Sequence, residues 1–303
     1  MSAEIPLWLF IELSKVVSGS SAENNKLIQK LERKISAYED GERGIPIRGR
    51  FPLAVTPEFD SLVAHFLGDG SFGGYAQSAS YKQKNACARA KFIEQVIHVF
   101  GEFAVNKKMC ERYWMVRIPK PARDVIRNFC NITETKTLTR RLPIEILDKP
   151  RQFRVAALSA FLVDEGYIGE SIEMSVGNRL LLTDFRKLAV SLGYSCSPII
   201  SKAGHKTANP MFRFRISLRS AKRLLRDVLE LGERFPACDL AHKQLELESI
   251  VRRQRRGGQK TRDGQTKQKI LVLVKGKKVT ISWLSKKLCL SRSTLREHLN
   301  SLE

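Results

Sequence analysis

The sequence lacks the features of membrane and secreted proteins. Its longest apolar stretch covers residues 155–163 and contains Ser159, so it reaches less than half of the roughly 20 residues that a helix needs to span a bilayer. Glu4, Pro6 and Glu12 interrupt the N-terminal region, which predicts that no signal peptide is present. The six cysteines stand at least 20 residues apart without a CxxC pair. This spacing excludes the common zinc modules and is typical of cytoplasmic thiols.

Acidic residues are also scarce relative to basic ones. Asp and Glu number 31 against 53 Lys and Arg, which gives a net charge of +22. This excess predicts a polyanionic partner, and nucleic acid comes before a membrane because no lipid-facing segment is present. Residues 239–303 alone carry 16 basic and 6 acidic side chains. The densest run of basic residues contains four arginines that are candidates for phosphate contact, namely Arg252, Arg253, Arg255 and Arg256. The alternative is that they form a solvated helix face.

The central part of the chain contains an internal repeat at low identity. Residues 59–74 and 153–169 each form an apolar helical run that ends in an acidic residue followed by glycine, and the equivalent acids are Asp69 and Glu165. Strand-like segments with Arg117 and Arg215 follow at similar offsets of 48 and 50 residues. The matching order indicates a duplication.

Each repeat predicts the order helix, two strands, helix, two strands, helix, and therefore an α+β fold of two pseudo-symmetric units. In the first unit we expect a helix at 57–69, a strand near 75–83, a helix near 86–100 and a hairpin near 103–118. The predicted segments are a small helical region at 1–50, the two units at 51–140 and 141–238, a basic helix and linker at 239–265, and a last domain at 266–303.

The two acid-bearing helices are expected to pack against each other. Ala64 and Gly68 are four residues apart, as are Ala160 and Asp164, and small side chains at this spacing let helix backbones approach. Asp164 is larger than Gly68, which predicts less tight packing at that end. Both acids lie at C-terminal helix ends, where the helix dipole disfavours negative charge. The pair therefore predicts a divalent-cation site, with structural end caps as the alternative.

Residues 62–70 and 158–166 resemble the two motifs of the single-chain LAGLIDADG homing endonucleases, and the resemblance covers residues 57–232. It implies that the motif helices form the centre of a saddle whose antiparallel sheets lie in the major groove of double-stranded DNA. It also implies a monomer, because one chain supplies both halves. Mg²⁺, or Mn²⁺, would be held by the carboxylates of Asp69 and Glu165 with the backbone carbonyls of Gly68 and Asp164.

The same resemblance assigns roles near the end of the first strand. Gln83 would position water and Lys84 would be a supporting cation near the scissile phosphate, although Lys84 could equally be a phosphate contact. Lys82, Arg117 and Arg215 are the strand residues expected to contact DNA. The corresponding strand end of the second unit reads Ser175-Val176-Gly177-Asn178, with neither Gln nor Lys. Cleavage of the two DNA strands is therefore expected to be unequal or absent. Lys202 and Lys206 could replace the missing lysine, but the sequence does not place them.

The segments before and after the repeats differ in how specific their sequence patterns are. Residues 1–50 predict two amphipathic helices, at about 5–17 and 22–37. Residues 266–303 resemble a winged-helix type of helix-turn-helix, with a helix from 267 to 274, a second helix capped by Thr280, and a recognition helix from Arg292. Its second helix is expected to turn Ile281, Trp283, Leu284 and Leu288 inward. The side chains left for the major groove are Arg292, Ser293, Thr294 and Arg296. A packing or dimerisation unit is the alternative.

Two functions from different classes follow from these features. The first is a cytoplasmic, nucleoid-associated, Mg²⁺-dependent DNA endonuclease of the homing type, in which the acids of both motifs support metal-assisted hydrolysis. The second is a DNA-binding regulator that retains the saddle without cleaving, as in the bacterial sporulation regulators that join such a core to a helix-turn-helix. RNA-splicing maturase activity is a further alternative. The pair of acids favours the enzyme, because a pure binder gains nothing from carboxylates that face phosphates.

Overall fold

A computed structural model describes residues 37–38, 44–49, 53–73, 79–132, 138–202, 210–257, 263–274, 279–288, 290 and 292–300. The two predicted N-terminal helices lie almost entirely outside the described residues, as do Lys206 and Ser291. The chain divides into two compact units, of which the first ends at Glu246 and the second begins at Leu247. Among the described helices, none is both long enough and apolar enough to cross a membrane.

The first unit combines helices with small antiparallel sheets, so the predicted α+β class is confirmed. Its helices are α1 (Pro57–Leu67), α2 (Ala86–Phe100), α3 (Lys107–Arg112), α4 (Lys120–Phe129), α5 (Glu145–Asp148), α6 (Arg151–Glu165), α7 (Arg179–Ser191) and α8 (Ala221–Arg234). Its strands are β1 (Ile47–Arg48), β2 (Gly70–Ser71), β3 (Ser80–Lys82), β4 (Glu102–Phe103), β5 (Met115–Arg117), β6 (Gly166–Ile168), β7 (Ile172–Val176), β8 (Ile200–Lys202) and β9 (Met211–Ile216). The two-fold pseudo-symmetry of this unit stays a prediction.

The strands form three antiparallel sheets among the described residues. The first half has the sheet β2-β3-β5, the second half has β6-β7-β9-β8, and β1 pairs with β4. The motif helices α1 and α6 lead directly into the first strand of their sheets, because α1 is followed by β2 at Gly70 and α6 by β6 at Gly166. The acids at the ends of these helices are therefore fixed between a helix and a sheet edge.

The motif helices form the centre of the core. Every residue of α1 is buried, as are Val155 to Val163 of α6, and the two helices pack against each other more extensively than any other pair of described elements. Pro57 occupies the first turn of α1, where a backbone N–H would have no partner within the helix, so the missing N–H of proline costs nothing. Glu58 and Asp60 in the same turn complement the positive end of the helix dipole. Burial of the apolar side chains of both helices stabilises this unit.

The predicted hairpin near 103–118 is wrong. The helix α3 lies in this segment, because the Asn106 side chain accepts a hydrogen bond from the Met109 N–H at 3.0 Å and caps it. The strands on either side also pair elsewhere, since β4 pairs with β1 and β5 pairs with β3. In the second half the order α6, β6, β7, α7, β8, β9, α8 follows the predicted pattern.

The second unit consists of α9 (Gln244–Gly257), whose first turn belongs to the first unit, α10 (Asp263–Val274), α11 (Ile281–Leu288) and α12 (Arg292–Asn300). Ile270, Leu284 and Leu295 form the buried core of the last three helices. The predicted cap of α11 is present, because the Trp283 N–H donates to the Thr280 hydroxyl at 3.2 Å. Trp283 was expected to point inward but is 43% exposed, since Leu284 takes the core position.

Candidate active site

The ends of α1 and α6 approach each other through a glycine. A Cβ added at Gly68 would lie 3.0 Å from Asp164 Oδ2 and 3.1 Å from Asp164 Cβ, which is closer than side chains normally come. The expectation of less tight packing is therefore wrong, because the missing side chain of Gly68 accommodates the larger Asp164. The contact brings the acid-bearing turns of the two halves together.

The Asp164 carboxylate is held by two side chains of the first half. Its Oδ1 accepts a hydrogen bond from the Tyr81 hydroxyl at 2.6 Å, and its Oδ2 accepts one from His65 Nδ1 at 2.9 Å. The side chain of Asp164 is fully buried and that of His65 is 4% exposed. Sequence reasoning considered only the backbone carbonyl of Asp164 and missed this network. No spacing in the sequence connects residues 65, 81 and 164.

Asp69 lies at the end of α1 with Gln83 beside it. Gln83 Nε2 donates a hydrogen bond to Asp69 Oδ2 at 2.7 Å, so the structure brings together two of the predicted site residues. Burial raises the pKa of Asp69 to about 7, and the negative charge of Asp164 adds to this, while His65 and Lys243 act in the opposite direction. A carboxylate in this setting gains from an added positive charge.

Glu165 lies at the corresponding end of α6. Its pKa is raised to about 8, mainly by burial and also by the charges of Asp69 and Asp164, against the opposing charge of Lys243. The charge of Asp69 acts on Glu165, and the charge of Asp164 acts on both. Three carboxyl groups therefore act on one another where the two helix ends meet.

Lys243 supplies a positive charge that acts on these carboxylates, and sequence reasoning missed it. Its Nζ donates to the backbone carbonyls at the end of α6, those of Leu162, Val163 and Gly166, at 2.8, 2.6 and 2.6 Å. Burial lowers the pKa of Lys243, and the charges of Asp164, Asp69 and Glu165 oppose that shift. A weak signal was available, because Lys243 lies between the apolar Leu240 and Leu247 rather than in the arginine run.

The chemistry of the site suits a hard divalent cation. No group of three or more His, Cys, Asp and Glu side chains among the described residues is arranged to hold a metal, so a closed zinc site does not fit. Mg²⁺ usually binds one or two carboxylates and keeps several waters. The raised pKa values of Asp69 and Glu165 indicate carboxylates that lack sufficient positive charge. Two such carboxylates with nearby backbone carbonyls fit Mg²⁺ or Mn²⁺.

The first half presents a basic and aromatic surface beside Gln83. Lys84 is exposed, with its Nζ 5.5 Å from the centre of the Trp114 ring. Trp114 is 41% exposed and has a positive φ of 55°, which is strained for a residue of this size. Lys82 and Arg117 are exposed on the neighbouring strands β3 and β5. Their predicted role in binding DNA stays a prediction, as does the catalytic role of Lys84.

The second half differs at the corresponding positions. Asn178 caps α7 by accepting from the Leu181 N–H at 3.0 Å, and its amide donates to the Arg140 carbonyl at 2.8 Å. Arg215 is engaged with Glu173 at 2.8 Å across the sheet. Partial burial acts to raise the pKa of Glu173, but the hydrogen bond from Arg215 and nearby arginine charges lower it. Lys202 lies in β8, and its side chain lies outside what the structure describes.

The tail residues that were predicted to bind DNA lie on α9 and α12. Arg252 is exposed and forms an i,i+4 ion pair with Glu248 at 2.8 Å. Arg253 donates to the Ser249 carbonyl at 3.4 Å. On the last helix Arg292 and Arg296 are exposed and Thr294 is half-buried. The side chains of Arg255, Arg256 and Ser293 lie outside what the structure describes.

Two solved structures are similar to this chain at low identity. Mesophilic variants of the homing endonuclease I-DmoI give a TM-score of 0.42 at 14% identity, over 57% of this chain and 96% of theirs. Full-length DUF199/WhiA from Thermatoga maritima gives a TM-score of 0.37 at 12% identity, over 83% of this chain and 92% of its own. No protein-family model and no curated protein matches the chain. With TM-scores below 0.5, neither likeness determines what this chain does.

Proposed function

We propose that the chain is a metal-dependent, site-specific endonuclease of double-stranded DNA. The observation that supports this most strongly is the group of carboxyls at the crossing of α1 and α6, where Asp69 and Glu165 have pKa values raised to about 7 and about 8. Two half-buried acids that repel each other destabilise the folded protein unless a cation joins them. In a chain of net charge +22, a site of this kind is suited to phosphate chemistry.

Asp69 and Glu165 would hold Mg²⁺ or Mn²⁺ with the backbone carbonyls of Gly68 and Asp164. When bound, the ion would lower the pKa of water and stabilise charge on the phosphate. Gln83 orients the carboxylate of Asp69 through its hydrogen bond. Its Oε1 accepts a second hydrogen bond from the Asn85 N–H at 3.3 Å. The exposed cations Lys82, Lys84 and Arg117 would bind the DNA backbone, and the pseudo-twofold arrangement would let one chain act as a monomer on both strands.

The experiment is cleavage of a supercoiled plasmid that carries a site selected from random DNA libraries, in Mg²⁺ and in Ca²⁺. Asp69→Asn and Glu165→Gln keep shape and remove charge, so each should lower the cleavage rate by orders of magnitude while DNA binding survives. Glu233→Gln, a change at an exposed glutamate of α8, is the matched control and should cleave like the wild type. Acid variants that cleave at the wild-type rate would refute the assignment.

A second candidate is a DNA-binding regulator that does not cleave. It is favoured by the second half, whose strand end has neither Gln nor Lys and where Arg215 is hydrogen-bonded to Glu173. The last three helices of the second unit, with Arg292 and Arg296 exposed on α12, are also suited to reading a major groove. A wild-type protein that binds a selected site tightly and never nicks it in Mg²⁺ or Mn²⁺ would establish this function instead.

A further inference from the structure

The C-terminal end of α1 is bound by a cation from a distant part of the chain. Arg140 Nη1 donates to the carbonyl oxygen of Phe66 at 3.2 Å and to that of Gly70 at 3.0 Å. Arg140 is only 5% exposed, and its guanidinium lies 5.5 Å from the centre of the Phe72 ring. A buried arginine is costly unless its donors are paired, so these bonds fix the turn that carries Asp69.

The end of α6 is bound in the same way by Lys243. The ammonium group donates to Leu162 and Gly166, and also to Val163 between them. Leu162 and Gly166 lie 96 residues after Phe66 and Gly70, which is the offset that separates Glu165 from Asp69. The two cations thus bind equivalent carbonyls of the two motif helices. In each half the cation follows the last helix of that half, α4 or α8.

The backbone around Lys243 is strained in a way that serves this contact. Ala241 has a positive φ of 46°, although alanine rarely adopts such a conformation. Its N–H donates to Asp239 Oδ1 at 2.8 Å, which holds the start of the short 3-10 helix Ala241–Lys243. Strain of this kind persists where surrounding contacts impose it.

The two cations differ in their relation to the carboxylates. Burial lowers the pKa of Arg140. Lys243 is different, because its charge acts on Asp69 and Glu165 and lowers the pKa of each against the effect of burial. Arg140 is therefore a natural control for Lys243, since it makes the equivalent backbone contacts without the same influence on the acids.

We propose that Arg140 and Lys243 are paired positioning residues that fix the acid-bearing ends of the motif helices, and that Lys243 is also the resident positive charge of the carboxylate cluster. The second part rests on the proposed function, because it concerns how strongly that cluster attracts a divalent cation. With Lys243 in place, the cluster is partly neutralised before any ion arrives. The lysine sets the affinity for the ion without contacting it.

The test compares Lys243→Gln with Arg140→Gln, since glutamine keeps donors for the carbonyls and removes the charge. Calorimetric titration with Ca²⁺ alone, in the absence of DNA, should show roughly tenfold tighter binding for Lys243→Gln because a nearby positive charge is gone. Arg140→Gln should stay within about twofold of the wild type. Hydrogen exchange should rise in the last turn of α6 for Lys243→Met and of α1 for Arg140→Met, because methionine removes the donors to the carbonyls. Lys243→Met is a second neutral variant if the glutamine does not fold.

Two results would overturn the proposal. Equal Ca²⁺ affinity of the wild type and both lysine variants would show that Lys243 is not the resident charge, while the proposed metal site would stand. Unchanged hydrogen exchange in both helix ends would show that the cations do not position them. A wild type that binds no Ca²⁺ contradicts the proposed function instead. In that case the affinity for DNA in EDTA tests the role of Lys243. If Lys243 is the resident positive charge, Lys243→Gln weakens DNA binding more than Arg140→Gln does. Equal weakening by the two variants would refute that role.

Discussion

Replacement of Glu165 by glutamine should make the metal-free protein more stable at high pH. The pKa of Glu165 is raised from 4.5 to about 8, so the folded state holds this proton more tightly than the unfolded state does. The stabilisation is fully present below the unfolded pKa of 4.5 and is lost as the pH rises through about 8. Glutamine has no proton to lose, so the variant should not show this decline.

The size of the effect follows from the shift. One pKa unit corresponds to about 1.4 kcal/mol, so the shift of Glu165 corresponds to at most about 5 kcal/mol, and residual solvent access reduces it to roughly 3–4 kcal/mol. For a unit of this size that is roughly 10 °C in melting temperature. We therefore expect Glu165→Gln to melt about 10 °C above the wild type at pH 8.5 in EDTA and close to it at pH 4.5.

The assay is thermal denaturation followed by circular dichroism across this pH range, with Glu233→Gln as the control for removal of an exposed carboxylate. Saturating Ca²⁺ should raise the melting temperature of the wild type at pH 8.5 and remove most of the difference, because the ion supplies the missing charge. Wild type and Glu165→Gln with the same pH dependence in EDTA would refute the electrostatic reasoning. A control that changes as much as the variant would do so as well.

Three further substitutions probe the remaining contacts. Gln83→Leu removes the donor to Asp69 and should lower plasmid cleavage by about 10²-fold with DNA affinity retained; loss of affinity alone would contradict it. Trp114→Ala should weaken DNA binding by roughly 1–3 kcal/mol if the exposed ring stacks on the nucleic acid. Fluorescence titration measures this, and unchanged affinity would refute it. Thr280→Ala removes the cap of α11 and should destabilise the second unit by about 1 kcal/mol in urea denaturation, with no change in melting of the first unit.

Local patterns made some elements predictable. The helix expected near 86–100 is α2, Ala86–Phe100, because the Asn85 side chain caps it and apolar residues recur at helical spacing. The hairpin near 103–118 failed because Asn106 supplies an equally good cap inside an apparently extended segment. A single capping residue decided the structure there, and strand-like composition could not outweigh it.

The contacts within the candidate site were less accessible from the sequence. Asp69 and Glu165 were found because each repeat ends in an acid, whereas Lys243 lies 78 residues after Glu165 in a segment whose charges suggested phosphate contact. Its buried position depends on how the chain returns to the end of α6 after the last helix of that half. Arg140 was missed for the same reason, since one basic residue in a connecting segment has no distinctive pattern.

The two halves are chemically unequal at the point where they meet. Gln83 hydrogen-bonds Asp69, whereas the strand end of the second half has neither Gln nor Lys, and its Asn178 caps a helix as Asn85 does in the first half. Lys243 offsets this on the other side, because it lies at the end of the helix that carries Glu165 and binds its carbonyls. Two acids that differ in their partners do not have equal roles even if one ion joins them. Under the proposed function, the two DNA strands would therefore meet different catalytic surroundings.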